Sequence, residues 1–137
     1  MTTRGVIENK ISDIQKYLNL LERYRQFSRQ EIEHSVDLKG AVERYLYLAV
    51  QATIDLAEAL ISLKNWRKPQ TLGDAFIILA ERQVISLESR DKLIKMVGFR
   101  NAIAHDYENL DYAVVYDVLI NRLVDVMEFL KDVSSKY

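Results

Sequence analysis

Cysteine is absent from the 137-residue sequence, and with it go disulfide frameworks, thiolate nucleophiles and cysteine-ligated zinc. A reducing compartment is compatible with that absence. One proline and four glycines are too few to punctuate a chain of strands and tight turns. Charge of one sign is also lacking: 19 lysines and arginines face 20 aspartates and glutamates, for a net charge of -1. No global positive field attracts nucleic acid, so any RNA contact has to come from a local basic patch or from one built between subunits. No apolar run reaches the roughly 18 residues of a membrane span, and the N-terminal MTTRGVIENKIS lacks the apolar core of a signal peptide. The chain is expected in the cytoplasm, with no membrane segment. A phosphate-cradling glycine loop and a Ser/His/Asp constellation are missing as well.

What is present reads as one globular domain over residues 1–137, with 49% hydrophobic and 28% charged residues. Apolar residues recur at spacings of three and four, which predicts an all-α protein of about five main helices and one brief one. The first helix, about Thr3 to Tyr24, carries Ile7, Ile11, Ile14, Leu18 and Leu21 on one stripe. Ser28 and Glu31 form a capping-box signature for the brief helix, and Asp37 is expected to cap the next, about Leu38 to Lys64. That helix is apolar over most of its circumference. It is therefore central in its bundle, or faces its own core on one side and a second subunit on the other. Asn65, Trp66 and Pro69 end it, a capping box from Thr71 to Asp74 restarts a helix, Ser86 caps another, and Asp111 opens the last.

One stretch stands apart. GFRNAIAHDYENLD, residues 98–111, gathers Arg100, Asn101, His105, Asp106 and Tyr107 into a few turns. Asn101 and His105 are four apart and share a helix face, while Arg100 lies about 140° from His105 around the axis, a gap that arginine's length can bridge. The turn residues Glu108, Asn109 and Asp111 place the cluster at a helix C-terminus running into a loop. Histidine can take or give a proton near neutral pH, arginine can hold a phosphate and its developing charge, and asparagine can orient either. Such a set suffices for RNA cleavage without a metal ion, because the attacking nucleophile can be the substrate's own 2′-hydroxyl. The same residues also have ordinary structural uses: histidine at a helix end, arginine paired with carboxylates, asparagine in a turn.

Arg100-Asn-Ala-Ile-Ala-His105-Asp-Tyr107 matches the pattern R-x4-H-x-Y, and the string MVGFRNAIAHDY resembles the HepT-like proteins, a branch of the HEPN superfamily. The resemblance extends over nearly the whole chain, through Glu43-Arg44 to Ile61, PQTLGDAF, VISLE and DYAVVYDVL. It implies an antiparallel helical bundle forming a homodimer, with two R-x4-H motifs facing one another in a shared cleft. It implies a metal-independent endoribonuclease, needing no cofactor, that serves as the toxin of a toxin–antitoxin pair. The partner would be a minimal nucleotidyltransferase of the MntA type, which neutralises the toxin by transferring AMP from ATP to the motif tyrosine, here Tyr107. Arg100 and His105 then carry the catalysis, with Asn101 in support. Lys92 and Lys95, on the helix leading into the motif, are candidates for guiding the RNA backbone. The alternative is a non-catalytic subunit whose cleft binds a nucleotide or the nucleotidyltransferase itself.

Other features take plainer readings. His34, among Glu31 and Glu33, reads as a solvated histidine and not a metal ligand, because the two histidines lie too far apart to give ligand spacing. Tyr17, Tyr24, Tyr45, Tyr47, Tyr112 and Tyr116 are expected to pack with their hydroxyls at the bundle surface or the dimer seam. Trp66, Arg67 and Lys68 read as a helix end that attracts cations, with a nucleic-acid contact as the other use.

Overall fold

The computed structural model describes residues 3–137; residues 1 and 2, part of the expected domain and of the N-terminus read above, lie outside them. Among the described residues the elements are helical and there is no strand, so the all-α expectation holds. The helices are α1 (Thr3–Glu22), α2 (Arg29–Glu33), α3 (Val36–Leu63), α4 (Asp74–Glu81), α5 (Leu87–His105), α6 (Tyr112–Asp117) and α7 (Leu123–Lys136). Short 3₁₀ turns occupy Arg23–Gln26 and Tyr107–Asn109.

The differences from expectation have local causes. The last helix is divided by a π turn at Val118–Arg122, where the Asp117 carboxylate accepts from Asn121 Nδ2 at 2.8 Å and from Arg122 Nε at 3.3 Å. Helix α1 yields to the 3₁₀ turn two residues before Tyr24. Ser35, not Asp37, caps α3, its Oγ accepting from Leu38 N at 3.2 Å. Asp37 falls in the first turn instead, where its charge meets the positive end of the helix dipole. Thr71 and Asp74 do not form the expected capping box. Thr71 Oγ1 accepts from Asp74 N at 3.0 Å, but the Asp74 carboxylate turns back to Gln70 N at 3.0 Å, and α4 begins only at Asp74. The Ser28–Glu31 box and the Ser86 and Asp111 caps form as expected.

Helix α3 is the axis of the bundle. Lys10 pairs with Asp55 while the ring of Tyr24 meets that of Tyr45, so residue numbers rise along α1 as they fall along α3, and the two helices are antiparallel. Helices α2, α4 and α5 pack on its remaining sides. The broad apolar circumference is therefore accounted for inside one chain, by the first of the two alternatives. By length and composition α3 could also cross a membrane, but 56% of its most apolar window is buried within the bundle, as in a core helix. At the other side of the core, Phe76 of α4 meets Phe129 of α7 edge to face at 5.7 Å.

The α3–α4 connection is pinned rather than loose. Asn65 takes φ 55 and Trp66 N donates to Ile61 O at 3.1 Å, closing α3 in a Schellman motif. Arg67 then forks onto Asp74 at 2.9 Å and Glu81 at 3.0 Å, and Arg82 sits over the Trp66 ring. These hydrogen bonds raise the Arg67 pKa and lower that of Asp74. Arg67 is thus committed to structure. His34 is exposed at the end of α2, as read. Tyr112 departs from the expectation for the tyrosines: its side chain is buried and, among the described residues, its hydroxyl has no hydrogen-bond partner.

Candidate active site

Helix α5 delivers the polar cluster. Ser86 Oγ accepts from Ser89 N at 3.0 Å to start it, and buried Leu93, Met96, Phe99 and Ile103 hold one side against the core. It ends after His105, where Asp106 leaves helical geometry at φ -140 and ψ 35 while its N–H still donates to Ala102 O. Asn109 Nδ2 donates to Asp106 Oδ1 at 2.9 Å, which stitches the turn carrying Tyr107. The Tyr107 side chain stands 58% exposed. The cluster lies at a helix C-terminus entering a turn, where spacing placed it.

Arg100 does not reach toward His105. Its half-buried guanidinium crosses to α3: Nε donates to Gln51 Oε1 at 2.9 Å and Nη2 to the Tyr47 hydroxyl at 3.1 Å, while Nη1 donates to Asn101 Oδ1 at 2.9 Å. The guanidinium carbon also lies 5.1 Å from the centre of the Tyr47 ring. The expected bridging of the gap around the helix is corrected here, because α3 offers three contacts to a side chain that would otherwise extend into solvent. Asn101 therefore orients the arginine and not the imidazole.

The chemistry of these acceptors matters. Gln51, Tyr47 and Asn101 are all neutral, so the guanidinium is held without being neutralised. Behind it, Gln51 Nε2 donates to Asp55 Oδ1 at 2.9 Å, and Lys10 Nζ lies 3.5 Å from Asp55 Oδ2. Asp55 thereby fixes which end of the Gln51 amide faces Arg100, and Lys10 takes up the carboxylate's charge. A guanidinium has five N–H donors. With three used, one N–H remains on each terminal nitrogen for a further acceptor.

Asn101 and His105 are exposed on the outer face of α5, in line with Lys95 and Gly98. Lys92 and Lys95 do not join Arg100. They border a different groove, between α5 and the π turn, with Phe99, Asp117, Arg122 and Asp125. Lys92 Nζ is engaged by Glu88 at 3.0 Å and stands 4.0 Å from Asp125. Burial pushes the Asp125 carboxyl up, with Lys92 and Arg122 pulling it back, so Lys92 serves a buried acid on its own side of α5. On the motif side, a groove of about 320 Å³ runs between α3 and the end of α5, lined by Glu43, Arg44, Tyr47, Ile103, Ala104 and Tyr107.

Tyr47, Gln51, Asp55 and Lys10 were not anticipated as site residues. The sequence did carry a signal for three of them: Lys39, Glu43, Tyr47, Gln51 and Asp55 recur every four residues as a polar stripe along the most apolar helix of the chain.

A helical bundle whose R-x4-H helix ends beside a tyrosine-bearing turn agrees with the resemblance to HEPN proteins. Residues 14–133 match the Ribonuclease HepT-like family, and the chain belongs to it. The mRNA nuclease HepT of Shewanella oneidensis is 28% identical over 131 residues, covering 96% of this chain and 98% of the relative. The tRNA nuclease HepT of Aphanizomenon flos-aquae is 26% identical over 130 residues, covering 95% and 88%. Among solved structures, the tri-AMPylated Shewanella oneidensis HEPN toxin in complex with MNT antitoxin is similar at a TM-score of 0.88 and 27% identity, covering 98% of this chain and 99% of that one.

Proposed function

We propose that the protein is the toxin of a toxin–antitoxin pair, a cytoplasmic endoribonuclease that cuts RNA without a metal ion at Arg100 and His105. The observation that carries this reading is the state of Arg100: immobilised by three neutral acceptors, paired with no carboxylate among the described residues, and left with one N–H on each terminal nitrogen. A purely structural arginine is more often spent on carboxylates, as Arg67 is here.

In the proposed reaction His105 removes the proton of a ribose 2′-hydroxyl, and that oxygen attacks the adjacent phosphorus. Arg100 holds the non-bridging oxygens as charge develops on them. The 5′-oxygen of the next nucleotide leaves with a proton returned by an imidazolium, so the products are a 2′,3′-cyclic phosphate and a 5′-hydroxyl. A substrate carrying 2′-deoxyribose at its cleavage sites is therefore expected to resist cutting while still binding; cleavage of that substrate at the same positions would sink this chemistry.

The second imidazole and the second cation come from another copy of the chain. Gly98 supports this arrangement. A glycine inside a helix costs roughly 1 kcal/mol relative to alanine, and at Gly98 an added Cβ would meet nothing within 4 Å in the protomer. Internal packing does not require it. It lies on the exposed α5 face with Asn101 and His105, where an approaching partner gains from a missing side chain. Two α5 helices meeting there put both motifs in one cleft and gather positive charge that the chain as a whole lacks. Gly98→Leu is expected to fold and to convert a dimer to a monomer in light scattering; a dimer unchanged by that substitution would contradict this face as the seam.

Neutralisation uses Tyr107. A partner nucleotidyltransferase of the MntA type moves the adenylyl group of ATP to the exposed phenol oxygen, which attacks the α-phosphorus while pyrophosphate departs. The product places a bulky anion next to His105 at the end of α5.

A further inference from the structure

The groove between α3 and the end of α5 holds more polar equipment than the cleavage step uses. Glu43 lines it, and among the described residues its Oε2, shielded from solvent, has no hydrogen-bond partner, a costly state for a carboxylate oxygen. Burial pushes the Glu43 carboxyl above the usual range, with Lys39 pulling the other way. Arg44, one residue on, is exposed, and among the described residues no hydrogen bond or ion pair engages it. Tyr47 and Tyr107 bring two aromatic rings to the same groove, over a floor of Ile103 and Ala104. Its volume, about 320 Å³, falls at the lower end of small-ligand sites, roughly 300–1,000 Å³.

We propose that this groove is a nucleotide subsite. It seats one nucleoside monophosphate unit, with Arg44 on the phosphate and the rings of Tyr47 and Tyr107 against the base. An arginine and stacking rings are groups that recognise such a unit. The same unit has two sources: a residue of the RNA beside the scissile phosphate, or the adenylyl group once Tyr107 carries it. Because Tyr47 also accepts a hydrogen bond from Arg100, the subsite adjoins the proposed catalytic arginine. The inference deepens the ribonuclease reading and rests on it for the RNA source.

The test is calorimetric binding to the full-length, unmodified protein of two probes, 5′-AMP and a 2′-O-methyl oligoribonucleotide that cannot be cleaved. Arg44→Ala, at an exposed position, is expected to weaken binding by at least about tenfold, the loss of one charge-assisted contact. Arg44→Lys should recover part of that loss. Lys131→Ala, an equal change of charge on exposed α7, should change neither affinity. A loss confined to AMP assigns the subsite to the adenylyl group, and one confined to the oligonucleotide assigns it to RNA. Absent binding by the wild type, or affinities for both probes unchanged in Arg44→Ala, overturns the proposal. Binding needs no cleavage, so AMP binding through Arg44 in a protein that cuts no RNA would leave the subsite standing and the ribonuclease reading fallen. The reverse pattern would do the opposite.

Discussion

Alanine at Arg100 or at His105 is expected to lower RNA cleavage by at least about 10²-fold, each alone, with the helical circular dichroism and melting transition close to those of the wild type. The magnitude follows from what each would remove: a fixed donor proposed to meet developing negative charge or the group proposed to move the proton. The fold is spared because His105 is exposed and Arg100 lies at the rim of the core, outside the cluster of buried side chains. The structure adds a graded case. Gln51→Ala removes an acceptor that holds Arg100 Nε but leaves both proposed catalytic groups in place, so cleavage should fall by about ten- to a hundredfold, in kcat more than in KM. A Gln51→Ala enzyme with wild-type kcat would mean that Arg100 is not positioned from α3.

The second large effect is expected from Tyr107. Exposure of its side chain makes the phenol reachable by a second enzyme, and the Asp106–Asn109 turn presents it within two residues of His105. An added adenylyl group carries negative charge into a cleft proposed to bind phosphate, and charge-changing modifications block by repulsion and bulk of this kind. Incubation with ATP and the partner nucleotidyltransferase should therefore suppress cleavage by about the same two orders of magnitude as loss of a fixed donor, with the added mass mapped to Tyr107 by peptide mass spectrometry. Tyr107→Phe should escape silencing under the same conditions. Silencing of Tyr107→Phe, or modification at another tyrosine, would move the switch elsewhere.

Spacing alone carried the bundle a long way. The three-and-four periodicity marks α1 and α3 within a few residues, and Ser28, Ser86 and Asp111 mark starts because a side-chain oxygen beside a free N–H is a local, sequence-readable event. Ser35 caps α3 in place of the expected Asp37, an outcome that depends on backbone angles that spacing does not encode. The π turn at Val118–Arg122 was hidden for a similar reason: its residues keep a helical pattern, and only the hydrogen bonding reveals the extra residue. At the site, the motif residues were legible and their surroundings were not. Arg100 read as a partner for His105 because the two share a short segment, yet two of its three hydrogen bonds reach residues 49 and 53 positions away, Gln51 and Tyr47. Lys92 and Lys95 share a helix with Arg100 but border another groove, a difference set by packing against the π turn and not by position in the chain. The polar stripe at four-residue spacing on α3 was in plain view, and it acquires its meaning only when α5 is laid beside it.

The central claim is that Arg100 and His105 cut RNA through its own 2′-hydroxyl, with no metal ion. Its most direct test is incubation of the purified full-length protein with total RNA in excess EDTA, followed by analysis of the product ends. The expected result is cleavage undiminished by EDTA, with 2′,3′-cyclic phosphate and 5′-hydroxyl termini; intact RNA, or cleavage that returns only when a divalent cation is added back, would contradict it.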